Sequence, residues 1–215
     1  MQGLIVDWGG VLTMPIHTAI GSWLKATGVD RNHYGAVLRH WVEPLPGEMS
    51  PVHQLERGEI AVEEFDDLLS SALAHEGSEV EAQGLVSKMF ADLAIYEDTM
   101  TSLVTRAHAA GIRTGLLSNS WGNDYDRSDW LEMFDAVVIS GEVGMRKPER
   151  EIFELTLDRI GLPAGECVFI DDMAHNIEAA EKAGLAGIVH RTFDETAGEL
   201  EALFPGAGWI HQRRD

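Results

Sequence analysis

The stretch LIVDWGGVLT, residues 4–13, runs three apolar residues straight into an aspartate and then into paired glycines. A short, continuously apolar run is what a strand buried on both faces requires. An acid at its end stands where ligands bind in open parallel sheets, just outside the carboxyl ends of the strands. A strand-end Asp can also be a plain cap, but Trp8-Gly9-Gly10 offers no helix for Asp7 to cap.

Working outward, four further runs share this character, at residues 114–117, 136–139, 168–170 and 187–190. Helical segments between them end in glycine, at Gly111, Gly161 and Gly184, as left-handed caps do. Strand, helix, glycine, strand is the rhythm of a doubly wound α/β sheet. From about Pro15 to Tyr96 that rhythm stops. Helical spacing appears instead in Ile20-Trp23-Leu24, in Tyr34-Val37-Leu38-Trp41 and in Phe65-Leu68-Leu69-Leu73, and EPLPGEMSP at 43–51 reads as a loop among these helices. This is a helical insertion between the first and second strands.

Composition narrows the partners. The chain has 215 residues, 45% of them hydrophobic, enough for one main core. Its formal net charge is -20, from 36 acidic against 16 basic residues, which repels nucleic acid and anionic membrane surfaces. An anionic ligand would be repelled too, unless a local cation reverses the field. Cys167, the only cysteine, lies in the apolar run CVFI and is expected to be a small core residue, so no disulfide framework exists and a reducing cytoplasm fits. The N-terminus carries no basic region or cleavage signal, and no apolar run nears the roughly 20 residues of a membrane span. A soluble cytoplasmic protein without leader or anchor is expected.

Three more clusters follow strand ends. LLSNS at 116–120 delivers Ser118 and Asn119 into a polar loop, where a hydroxyl and adjacent backbone N–H groups suit a phosphate oxygen, although SNS alone is also a good turn. GMRKPE at 144–149 places Lys147 in the same topological position, where it can neutralise charge. VFIDDMAHNIEAA at 168–180 sets Asp171 and Asp172 beside Asp7, and gathered carboxylates either repel or hold a hard cation such as Mg²⁺. The plainer alternative makes one of that pair the cap of the following helix.

The order hydrophobic-DxxGV, LLSN, RKPE and hhhDDxxxNIEAA resembles the haloacid dehalogenase-like hydrolase superfamily across nearly the whole chain, and ERGEI at 56–60 is similar to that superfamily's helical cap. Within it, the chain is similar to the branch of the epoxide hydrolase phosphatase domain and the bacterial sugar-phosphate phosphatases. The resemblance implies an α/β fold: a Rossmann-like three-layer core with a parallel sheet, formed by residues 1–14 and 97–215, and an inserted helical cap domain over 15–96. It implies a Mg²⁺-dependent phosphatase acting on a small phosphorylated molecule. Asp7 would be the nucleophile that forms an aspartyl-phosphate, Ser118 and Asn119 would hold the phosphoryl group, and Lys147 would balance charge against Asp7. Asp7, Asp172 and the Gly9 carbonyl would ligate the metal, with Asp171 holding metal-bound water.

One departure stands out. The family's phosphatases usually carry a second Asp two residues after the nucleophile, where this chain has Gly9. A backbone ligand survives that change, but the side chain that protonates the leaving group does not. Such help is typically worth about 10²- to 10⁴-fold. His17, His40, His53 and His75 in the insertion are candidate substitutes, though any one is more often surface or packing. Two other readings share the site. A 2-haloacid dehalogenase would use the same Asp without metal, but its fourth motif is typically serine-rich where this chain keeps two acids. A non-catalytic phosphate-ligand module would explain Gly9 but not the retained Asp7. Trp23, Trp41, Met49 and Met89 are expected to be core, and Arg213-Arg214 a solvated end.

Overall fold

The computed structural model describes residues 1–44, 48–91, 98–122 and 125–210. Five strands, β1 (Gly3–Val6), β2 (Arg113–Ser118), β3 (Ala136–Ile139), β4 (Cys167–Asp171) and β5 (Ala186–Val189), form one parallel sheet in the order β3-β2-β1-β4-β5. The expected runs are all strands, with shifted ends. β1, β2 and β4 each begin one residue early, β2 and β4 run one residue further, and β5 slides back by one. The ladder counts backbone groups and not side chains, so Arg113, Ser118 and Asp171 pair as well as their apolar neighbours do.

Register is what assembles the site. Val6 lies opposite Leu116 on one side and Ile170 on the other, and the Asp7 amide donates to the Ile170 carbonyl at 2.9 Å. Asp7, Ser118 and Asp171 therefore leave the sheet at one edge.

From the end of β1 to residue 91 the chain forms α1 (Ile16–Thr27), α2 (Arg31–Val42), α3 (Pro51–Glu56), α4 (Val62–Glu76) and α5 (Leu85–Met89), and no strand among the described residues. The apolar faces read from the sequence meet in one cluster that includes Trp23, Tyr34, Phe65, Leu69 and Met89. Trp41 packs partly buried on it, but Met49 is 77% exposed, against expectation. Met49 precedes the Ser50 cap of α3 and lies off every helical face. The stretch at 43–51 is only partly loop. Residues 45–47 lie outside the described residues, while Ser50 accepts from the His53 amide and Pro51 opens α3. The expected boundary at 96–97 and Arg213-Arg214 also lie outside them.

The remaining helices are α6 (Asp98–Ala109), α7 (Trp130–Met133), α8 (Ser140–Val143), α9 (Arg150–Ile160), α10 (Ala174–Lys182) and α11 (Phe193–Leu203). They cover both faces of the sheet, and the strands alternate between the two. Leu4 and Val6 of β1 join Leu103 of α6 and Leu200 of α11, while Ile5 joins Phe153 of α9 and Ile177 of α10. Cys167 is buried among the latter group, as expected, and burial pushes its thiol up to about 11. Gly111, Gly161 and Gly184 all have positive φ at the helix ends where they were read as caps.

A buried acid organises the helices between β1 and β2. Asp66 on α4 accepts from the amides of Leu85 at 3.0 Å and Val86 at 2.8 Å, satisfying the first turn of α5. Asp66→Ala should lower unfolding free energy by about 1–2 kcal/mol, read from urea denaturation followed by tryptophan fluorescence.

Candidate active site

Lys147 has 1% of its surface exposed, yet it carries a charge into the core. Its Nζ lies 2.8 Å from Asp7 Oδ1 and 2.7 Å from Asp171 Oδ2, and donates to the Leu117 carbonyl at 3.1 Å. A buried ion is tolerated only when paired and hydrogen-bonded, and here all three ammonium protons have partners. Burial alone would lower its pKa, but Asp171 and then Asp7 outweigh that and hold the ammonium above the ordinary lysine value.

Asp171 is fully buried at the end of β4. Besides Lys147, its carboxylate receives the Met173 amide at 2.8 Å and Asn176 Nδ2 at 3.0 and 3.1 Å. Asn176 sits in α10, inside the motif hhhDDxxxNIEAA, which by itself assigns it no role. Its signal lay in the five-residue step from Asp171 to the first turn of the following helix.

Asp7 accepts the Trp8 amide at Oδ1, at 2.7 Å, on the same oxygen that meets Lys147. Oδ2 is the oxygen these two donors leave. Burial pushes the Asp7 carboxyl up to about 7, against the pull of Lys147 and with a further push from Asp171. Burial and Asp171 also raise Asp172. Asp172 does not cap α10, whose N-cap is Met173. Its Oδ1 is instead buried without a hydrogen-bond partner. Oxygens of Asp7, Asp171 and Asp172 lie within 4.8 Å of one another. Three carboxyl groups share one ammonium, and among them an orphaned acceptor faces no donor. That is the donor set of a hard divalent cation.

The two glycines after Asp7 meet different constraints. Gly10 has φ +78°, and a Cβ there would stand 2.5 Å from Asp172 Oδ2, so this glycine lets the first loop close over the carboxylate. A Cβ on Gly9 would stand 2.9 Å from Ile16 Cδ1. An apolar side chain thus fills the space next to the position of the usual second acid.

Ser118 is buried, with its Oγ 2.9 Å from the hydroxyl of Tyr125. Tyr125 was not anticipated, because nothing in its sequence surroundings marks it. Burial pushes its hydroxyl up to about 12, so it stays protonated. The Asn119 side chain clamps the Lys147 backbone, accepting its amide at 2.8 Å and donating to its carbonyl at 3.1 Å. Ser118, Asn119, Lys147, Asp7, Asp171 and Asp172 are thus brought together as the sequence suggested, with the Asn119 side chain on Lys147.

Among the four histidines, His17 is exposed on the first turn of α1, near enough for its charge to act on Asp172. Burial and then Arg146 lower the pKa of His53. His40 lies 3.6 Å from Glu48, and His75 is exposed in the last turn of α4.

A family model described as haloacid dehalogenase-like hydrolase matches residues 1–184. The chain is 28% identical over 212 residues to acyl-CoA dehydrogenase family member 10 of Mus musculus, a match covering 94% of this chain and 19% of that protein. It is 29% identical over 155 residues to a sesquiterpene phosphatase of Aspergillus oryzae, covering 70% of this chain and 77% of the relative. The chain thus spans only a small part of the mouse protein and most of the fungal one. A haloacid dehalogenase family enzyme from Bacteroides thetaiotaomicron, solved with magnesium and inorganic phosphate, shares the fold at TM-score 0.64 and 22% identity, covering 89% of this chain and 94% of that one. No helix of the described residues is long and apolar enough to cross a membrane.

Removing the central cation should expose its structural weight. Lys147→Met leaves Asp7 and Asp171 buried without their common partner, and should lower unfolding free energy by about 3–5 kcal/mol in the presence of chelator. Asp171→Asn added to Lys147→Met should recover part of that loss in the same denaturant titration.

Proposed function

Because the chain belongs to the haloacid dehalogenase-like hydrolases, we propose that it hydrolyses small phosphate monoesters through a covalent intermediate on Asp7. The observation that carries this reading is the pairing of Asp7 with Lys147 beside two further carboxylates, one holding an orphaned buried oxygen. A dehalogenase has no need of a divalent cation, whereas these acids have a charge deficit that such a cation offsets. The magnesium and phosphate in the Bacteroides enzyme and the activity in the fungal relative's name agree with phosphate chemistry.

In this reading Asp7, Asp172 and the Gly9 carbonyl would hold Mg²⁺, which would supply positive charge against phosphoryl oxygens, while Asp171, whose carboxylate is taken up by Lys147, the Met173 amide and Asn176, would add charge behind them in place of the expected hold on metal-bound water. The Asp7 carboxylate attacks phosphorus, and the bond to the ester oxygen breaks. Water then attacks the aspartyl-phosphate and returns Asp7 as a carboxylate, releasing inorganic phosphate. Lys147 orients Asp7 and favours its ionised form against the desolvation that pushes the carboxyl up to about 7. The Ser118 hydroxyl and the Asn119 amide bind phosphoryl oxygens, the Ser120 amide being taken by Ser140 Oγ at 2.8 Å, while the Asn119 side chain holds the Lys147 backbone in place. Helices α1 to α5, within residues 15–96, form a cap, and substrate selection resides there.

With Ile16 filling the space beside Gly9, leaving groups that need little protonation are favoured. Aryl and acyl phosphates should turn over faster than alkyl phosphates by about 10²-fold or more. Gly9→Asp combined with Ile16→Ala, which makes room for the acid, should narrow that gap in a phosphate-ester panel. Equal wild-type rates on both ester classes would show that another group already donates the proton. Asp7→Asn should reduce phosphate release with Mg²⁺ to the level seen with chelator. Release that survives the substitution would remove the mechanism, and a rate indifferent to chelator would favour the dehalogenase.

A further inference from the structure

Glu56 is a buried acid that the chemistry above does not use. It is the last residue of α3, where a carboxylate meets the negative end of the helix and gains nothing from it. Two donors hold it there. Arg146 Nε donates to Glu56 Oε2, and the indole N–H of Trp121 donates to Oε1 at 3.2 Å. Both donors sit in the loops that carry the site. Trp121 follows Ser118 and Asn119 by a few residues, and Arg146 immediately precedes Lys147.

The neighbouring residues extend the grip. Arg57 pairs with Glu149, whose other oxygen accepts the Arg146 amide at 3.0 Å. Gly58 has φ +69°, and a Cβ there would stand 2.5 Å from the Gly141 carbonyl, so the end of α3 approaches α8 as closely as backbones allow. Trp121 itself packs its ring on Phe65 at 5.1 Å and Phe90 at 5.4 Å, inside the apolar cluster of the helices between β1 and β2. The ERG of ERGEI is therefore a joint: acid to Arg146 and Trp121, base to Glu149, glycine against Gly141.

We propose that Glu56 is a positioning residue that clamps together the Ser118-Asn119 loop and the Lys147 loop from the helical segment between β1 and β2. Lys147 Nζ must reach both Asp7 and Asp171, and its backbone hangs on Asn119. Each of these loops is anchored next to its functional residue by one oxygen of a single carboxylate. A misplacement of about 1 Å at such a site can cost on the order of 10²-fold in rate. The same clamp ties the end of α3 to the loops that carry Ser118 and Lys147.

The catalytic consequence rests on the phosphatase reading, whereas the clamp itself does not, and the test separates them. Amide hydrogen exchange by mass spectrometry would be compared for wild type, Glu56→Gln and Trp121→Phe, alongside turnover of p-nitrophenyl phosphate with Mg²⁺. In Glu56→Gln the peptides covering 117–121 and 144–149 should exchange about tenfold faster or more, the loss expected for one charge-assisted hydrogen bond, while β4 and α10 keep wild-type exchange. Turnover should fall by about tenfold or more in kcat with KM changed far less, and Trp121→Phe should lie between. Should Glu56→Gln fail to fold, Arg146→Lys, which keeps the charge but loses the planar donor, gives the same comparison. Unchanged exchange in both loops in a folded variant overturns the proposal. Faster exchange in the loops with no change in kcat overturns the positioning role. Faster exchange in a protein whose wild type releases no phosphate overturns the phosphatase reading and leaves the clamp standing.

Discussion

The site is organised by one ammonium buried between two carboxylates. Lys147 would be ruinous in that position without Asp7 and Asp171, and Asp171 would be ruinous without Lys147. Each is held further by neutral donors and acceptors: Leu117 and Asn119 on the lysine side, Asn176 and the Met173 amide on the acid side. Three strand ends, the loop after α8 and one helix start are thereby brought to one point. The pairing does not balance, because one cation answers two carboxylates and a third, Asp172, stands beside them. That imbalance turns a structural ion pair into a place with appetite for more positive charge.

The net charge of -20 gives the same imbalance a wider meaning. A protein that repels anions at long range can receive a phosphate only where fixed cations dominate locally. Lys147 is buried at that place, and Arg146 and Arg57 sit in the adjoining joint, each tied to a carboxylate. The arginines are spent on architecture. In the phosphatase reading, attraction of an anion falls to backbone N–H groups and to a cation that the acids would hold, because the protons of Lys147 are already taken.

Gly9 and Ile16 show a different kind of economy. A glycine where relatives usually carry an acid reads, from the sequence, as a loss. The Ile16 side chain lies over the neighbouring space, so an acid at this position would have to displace its terminal methyl. Gly10 beside it is required by the left-handed backbone and by Asp172. Two adjacent glycines therefore answer to unrelated constraints, one set by the backbone and a carboxylate, the other by packing.

The sequence alone determined the sheet, its buried strands, the inserted helical segment and the place of Asp7, Ser118 and Asp171 at strand ends, while Asn119, Lys147 and Asp172 joined them through the order of four motifs that resemble a family. The former follow from local rules, since a strand covered on both faces must be apolar and a parallel sheet sends every strand end to the same edge. Strand ends slipped by a residue because backbone pairing ignores side-chain polarity. Tertiary structure alone decided which partner each polar group takes. Asn119 reaches the Lys147 backbone across 28 positions, Arg146 reaches Glu56 across 90, and Ile16 closes on Gly9. Such pairings depend on how helices and loops settle around the sheet, and a side chain's periodicity records which face it occupies but not what it will meet there.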